Sequence, residues 1–280
     1  FWSSEHQVNI SQMIASRLGC SGTALEIIDC LRSLKTNTII QAAAELGGPD
    51  MLSPTHLSGL TLAGELLPFQ NMKELRESQE SHMKGMEKRT RMLIGTTFNE
   101  FRMFDEEVAN VKIDLVTGAL GVRNPEEVAQ RYFDDVQKGK FDPGYDTESQ
   151  AAYLTTSLLA QAHIAAGGEV YLYQFDYPKH SSHADDLYYV MTVPYYPLNA
   201  DEQWLLRVYP KYFTNFIKGI PLAPDWTPLN PQLMNYYSVN KSFEGGTGPK
   251  MRFGYHQDLM DYYEGMIQFD DNLTKMKGMV

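Results

Sequence analysis

Ile10, Met13, Ile14 and Leu18 fall at the spacing of one helix face, so residues 4–19 read as a helix that Gly19 closes. A turn at 20–23 leads to a second helix over 24–34. The run IIQAAAEL within 37–46 predicts a third, ended by Gly47, Gly48 and Pro49. Residues 49–70 carry Pro54 and Pro68 and read as irregular, and the polar stretch 72–88 reads as a solvated helix. The period then changes. Met92, Leu93 and Ile94 form a short apolar run ended by Gly95, which fits a buried strand of a parallel sheet over 90–95. Helical segments follow over 104–115, 124–138 and 149–166, the second with Pro125 in its first turn. Residues 169–175, EVYLYQF, are β-branched, aromatic and apolar enough for burial on both sheet faces, and Pro178 stops that strand. The segment 201–218 reads as a helix kinked at Pro210, 234–240 as the last strand of the sheet, and 255–279 as an amphipathic helix. Long helices alternating with short buried strands make an α/β fold, a mostly parallel sheet flanked by helices, in one domain over residues 1–280. Three strands are few for such a sheet, and the chain opens Phe1-Trp2 without a methionine. Both features lead us to expect that further strands precede residue 1.

Two loops beyond these strands carry the titratable groups. Glu100 stands just past the first strand; if it merely opens a helix, it serves the helix dipole. The second strand runs into Lys179, His180, Ser181, Ser182, His183, Ala184, Asp185 and Asp186. Open α/β sheets keep their chemistry beyond the carboxyl ends of strands. An acid followed by a histidine, on loops after consecutive strands, matches the chain order of the last two members of an α/β-hydrolase triad. In that chemistry the histidine takes a proton from a serine hydroxyl and returns it to the leaving alcohol. The carboxylate holds the other ring nitrogen and stabilises the imidazolium. His180 competes with His183 for the role of base. His163 lies among small residues on a helix and reads as a core histidine, and His82 as a surface one.

Charge narrows the partners. The chain has 24 Lys and Arg against 35 Asp and Glu, a net −11. That balance argues against a nucleic-acid binder and suits a soluble protein that meets neutral or cationic small molecules. No apolar run reaches the length of a membrane span. No metal-ligand set is visible and no cofactor is expected. Cys20 and Cys30 are close enough for a small-loop disulfide that pins the first two helices and stabilises by roughly 2–3 kcal/mol through the unfolded state. The alternative is two buried thiols. Sequons begin at Asn9, Asn240 and Asn272. Together with the cysteine pair they point to a glycoprotein of the secretory pathway, extracellular or in the ER lumen.

Four stretches carry a family likeness. Leu18-Gly19-Cys20 with Cys30-Leu31-Arg32-Ser33, the heptapeptide LAGELLP at 62–68, Leu93-Ile94-Gly95 through Glu100, and SHADDL from Ser182 to Leu187 occur in that order. They are similar to the LGC…CLRS, DGxFLP, LIGxNxDE and SHGDEL segments of the type-B carboxylesterases, the family that includes the cholinesterases. The resemblance covers essentially the whole chain. It implies an α/β-hydrolase fold, a Cys20–Cys30 disulfide, Glu100 as catalytic acid and an ester as substrate. It implies His183 rather than His180 as base, because the family's acidic-Leu pair follows the catalytic His as Asp186-Leu187 follows His183. Asp185 and Asp186 then read as structural. Ala63 stands where the family has Asp, Thr97 where it has Asn, and Phe101 where it has Gly.

No G-x-S-x-G elbow occurs in the chain, nor do the glycines of an oxyanion hole. In the family both lie upstream of the LGC segment. The implied function is therefore a serine carboxylic-ester hydrolase whose nucleophile comes from an N-terminal half of the same protein, with this chain inactive alone. The other reading is a non-catalytic adhesion or binding protein of the neuroligin-like branch, which has no need of Glu100 with His183. Tyr188, Tyr189, Tyr195, Tyr196 and Trp226 either line an acyl or alcohol pocket or belong to the core.

Overall fold

The computed structural model describes residues 4–47, 68–69, 72–85, 90–100, 113–194 and 196–278. The LAGELLP segment up to Leu67, together with Phe101 and Tyr195, lies outside the described residues. By internal packing the chain divides into residues 1–75 and 76–280.

The first unit holds α1 (Ser4–Arg17), α2 (Ala24–Ser33) and α3 (Thr36–Gly47). The helical spacing of Ile10 and Ile14 puts both on one face of α1, buried against Ala42 and Ala43 of α3. Thr23 caps α2 in a reciprocal box: its side chain accepts from Glu26 N, and the Glu26 carboxylate accepts from Thr23 N. A disulfide joins Cys20 to Cys30, fastening the end of α1 to α2. A polar helix, α4 (Met72–Lys84), contains the border between the units.

The second unit is built on a sheet of β1 (Arg91–Thr97), β2 (Glu169–Phe175), β3 (Tyr236–Val239) and β4 (Lys250–Arg252), in that spatial order. β1, β2 and β3 run parallel, and β4 is antiparallel to β3. Between β1 and β2 come α5 (Ile113–Leu120), α6 (Pro125–Gln137) and α7 (Thr147–Ala165). α8 (Asp185–Val190) and α9 (Ala200–Ile217) follow β2, and α10 (Gln257–Met276) ends the fold. The alternation of β2 sends Val170 and Leu172 into a core with Tyr153 of α7, Val116 of α5 and Tyr263 of α10. Tyr173 and Phe175 go to the opposite face, into a second core with Leu205 and Tyr209 of α9 and with Trp226. Both faces of the strand are covered, which is why EVYLYQF reads as an unbroken apolar run.

Three expectations are revised. β1 does not stop at Gly95 but runs on to Thr97, in register with Phe175. The strand at 236–239 is not the last, because Lys250–Arg252 pairs beyond it; three residues are too few to show a period. The helix expected over 104–115 is described only from Ile113 and continues to Leu120. Among its described side chains Ile113, Val116, Thr117 and Leu120 are buried, and Gly121 at φ 69° closes it in a left-handed conformation.

Candidate active site

Parallel pairing of β1 with β2 brings the ends of both strands to one edge of the sheet. The loops beyond them are joined by main-chain hydrogen bonds. Phe98 N donates to Phe175 O at 2.9 Å, and Asn99 N donates to Ser181 O at 2.8 Å. Asn99 and Ser182 form an isolated parallel bridge. The result is contact between two side chains 83 positions apart: Glu100 Oε2 faces His183 Nδ1 at 2.8 Å. The other carboxylate oxygen accepts from Thr97 N at 2.7 Å, which fixes the acid from within its own turn. Glu100 is 8% exposed, whereas the His183 side chain is 51% exposed. The carboxylate is thus held dry and in place, and the imidazole reaches outward with Nε2 as the nitrogen turned away from Glu100. A ring nitrogen facing a carboxylate suits a proton on Nδ1, and a neutral ring so arranged has its lone pair on Nε2.

The His183 loop has its own scaffold. Ala184 sits at φ 66°, a left-handed conformation uncommon outside glycine. Asp185 Oδ2 accepts from Ser182 N at 2.8 Å, and Asp185 N donates to Ser182 O at 3.0 Å, closing the turn around His183. Asp186 is buried and accepts hydrogen bonds from the hydroxyls of Tyr173 and Tyr209 at 3.2 and 3.1 Å. Burial pushes the Asp186 carboxyl above the usual range, Tyr209 opposes that shift, and the charge of Glu100 adds to it. Both aspartates are therefore structural groups beneath the pair. The Tyr153 hydroxyl donates to Phe98 O at 2.6 Å and braces the acid loop from α7. Thr97 N as a second holder of Glu100 is legible as a three-residue spacing. Tyr153 and Asn99 leave no such mark, since they reach the site only through tertiary contacts.

Other named residues take different places. His180 lies 3.1 Å from Glu202 and does not face Glu100's partner position. His163 is buried, with Nε2 2.9 Å from Thr90 O, and His82 is exposed. Tyr189 and Trp226 are buried in the second core. Asn9 and Asn272 are exposed on α1 and α10, whereas Asn240 is half-buried just after β3. Among the described residues no cluster of three or more His, Cys, Asp or Glu could hold a metal, and no helix is long and apolar enough to cross a membrane. A cavity of about 450 Å³ opens behind the acid loop, lined in part by Phe98, Phe141, Tyr145, Gln174, Tyr236 and His256.

Parallel strands that deliver an acid and a histidine to one edge, in this chain order, define an α/β-hydrolase arrangement. The chain belongs to the carboxylesterase family, whose family model matches residues 1–256. Among solved structures it is similar to a carboxylesterase of Geobacillus stearothermophilus, EST55, with 19% identity, a TM-score of 0.59, and coverage of 90% of this chain and 52% of that one. It is similar also to a PNB esterase, with 16% identity, a TM-score of 0.62, and coverage of 92% and 55%. A third likeness is to an esterase from Clostridium hathewayi that hydrolyses aliphatic aromatic polyesters, with 15% identity, a TM-score of 0.53, and coverage of 92% and 52%. The chain spans about half the length of these structures. No curated protein sequence matches it.

Proposed function

We propose that the chain supplies the acid and base of a Ser-Glu-His triad in a serine carboxylic-ester hydrolase. Glu100 is the acid and His183 the base, and the nucleophilic serine comes from an N-terminal part of the same protein. One observation carries this reading: a buried carboxylate, already held by Thr97 N, meets His183 Nδ1 at 2.8 Å at the end of paired parallel strands. In the acylation step His183 Nε2 takes the serine proton as the oxygen attacks the ester carbonyl. The resulting imidazolium is stabilised by Glu100, which keeps its negative charge. The same proton then passes to the alkoxide leaving group. Water repeats the sequence to release the acid. Substrates in this reading are small carboxylic esters. The secretory location and the glycans at Asn9, Asn240 and Asn272 belong to the same proposal, supported by the sequons and by a disulfide between Cys20 and Cys30.

The test begins upstream. The coding sequence before residue 1 is expected to contain a G-x-S-x-G elbow. The protein extended to include it should hydrolyse p-nitrophenyl acyl esters. Glu100→Gln keeps the shape but holds the imidazole in the wrong tautomer, and should lower kcat by about 10³–10⁴. His183→Ala should lower it at least as far. Activity that survives both substitutions would sink the triad assignment.

A further inference from the structure

The loop carrying His183 is fastened twice: to the acid loop on one side, and on the other to the start of α9. The second fastening plays no part in the chemistry above. Glu202 is 2% exposed. Its Oε2 accepts from Asn199 N at 2.6 Å while Glu202 N donates to Asn199 Oδ1 at 2.9 Å, completing the capping box of α9. A capping box needs only one oxygen of the glutamate. The other, Oε1, is buried without an aligned hydrogen bond from the described residues, and it faces His180 Nε2 at 3.1 Å. A donor on that nitrogen suits the carboxylate oxygen, whereas a lone pair there would be repelled by it. The His180 ring also lies flat on Tyr196, with centroids 4.0 Å apart and planes 16° apart. Tyr196 in turn donates its hydroxyl to that of Tyr189 on α8, at 3.2 Å. Asn199 Nδ2 donates to the Tyr177 hydroxyl at 3.0 Å. Contacts that precede His183 in the chain, at Tyr177 and His180, and one that follows it, at Tyr189, therefore all end on the segment 196–202.

We infer that His180, with Glu202 and Tyr196, is a positioning residue for the base. The inference rests on the reading of His183 as the base and deepens it. The His183 ring is half exposed, so burial does not hold it. Its orientation on Glu100 depends on where its loop is held, and a displacement of about 1 Å in a reacting group is enough to cost orders of magnitude in rate. His180 supplies that hold through its 3.1 Å approach to the buried Glu202 carboxylate at the start of α9 and through its ring stack on Tyr196. Neither His180 nor Glu202 touches the reacting atoms.

Three substitutions separate the parts. His180→Ala removes both contacts, His180→Gln restores a donor toward Glu202, and His180→Phe restores only the stack. Hydrogen exchange on the chain as it stands reads the amides of Asn99, Ser182 and Asp185, the donors that tie the loops and close the turn. His180→Ala should speed their exchange about tenfold or more, and His180→Gln should recover most of the protection. Unchanged exchange overturns the clamp whether or not the protein cleaves esters. In the extended protein, sites are counted by covalent titration with a fluorophosphonate. There kcat per titrated site should fall roughly tenfold or more in His180→Ala, with KM within about twofold, and should recover in His180→Gln. An unchanged kcat per titrated site overturns the positioning role. If the unsubstituted protein neither takes the label nor cleaves esters, the functional reading fails, and hydrogen exchange alone decides the clamp.

Discussion

His256 shows how one ring can couple packing to pH. It lies flat on Tyr153, with centroids 3.7 Å and planes 10° apart, and its Nε2 accepts from Gln174 Nε2 at 2.8 Å. Protonating Nε2 would set a donor against a donor. Burial lowers the ring's pKa from 6.5 to about 4. As pH falls, the unfolded chain binds this proton first, near 6.5, and the folded chain only near 4. Stability is therefore complete above 6.5 and is lost between 6.5 and 4, by about 2–3 kcal/mol. His256→Asn should flatten that slope. Asparagine tolerates the left-handed φ of 45° at this position and carries no group that titrates in this window. Urea midpoints measured from pH 7 to 4 check this; parallel slopes in the two proteins would assign the acid sensitivity elsewhere. Such residues are hard to read in advance. Glu100 and His183 were legible because each follows a buried strand that can be seen. His256 follows a three-residue strand with no period, and its partners come from β2 and α7.

Among the elements, β2 was the easiest to read and β1 the most instructive. The span of β2 follows from its composition, since a strand covered on both faces has little polar interruption. Gly95 looked like the end of β1 because glycine usually punctuates a strand. Its purpose here is close approach. A Cβ on Gly95 would lie 2.4 Å from Tyr173 O and 2.5 Å from the Tyr173 ring on the neighbouring strand. Tyr173 cannot retreat easily, because its hydroxyl donates to buried Asp186. Gly95→Ala should cost about 1–3 kcal/mol or more through overpacking, and should disturb the Glu100 loop five residues on. Gly118 in α5 is the control, with nothing among the described residues within 4 Å of its would-be Cβ. Gly118→Ala should stabilise by about 0.5–1 kcal/mol, as alanine does within a helix. Denaturation of the two variants should move in opposite directions, and a shared direction would defeat the close-approach account. The order of motifs along the chain picked out Glu100 and His183, which the structure brings into contact. The clamp at His180 and Glu202 was hidden, because a capping box at the start of α9 is a sufficient reason for Glu202 to be there.

For the molecule as a whole, charge is the property the sequence states outright. A net −11 keeps copies apart at neutral pH, and the charge vanishes near pH 5.1. That value lies inside the window from 6.5 to 4 in which His256 withdraws stability. Two effects with separate origins therefore act over the same pH range. Loss of net charge removes the repulsion between copies, and protonation of the unfolded chain raises the fraction that exposes apolar core. The first belongs to every acidic and basic side chain together, and the second includes one buried ring that a single substitution removes. Slow acidification with light scattering should give maximal association near pH 5.1 in both the unsubstituted protein and His256→Asn, because that change leaves the charge balance almost untouched. The growth in amplitude between pH 6.5 and 4 should be smaller in His256→Asn, where acid no longer lowers the folded fraction through this ring. Equal amplitudes would mean that native copies associate through lost repulsion alone. A maximum that moves with the substitution would mean that unfolding, and not net charge, sets where the protein comes out of solution.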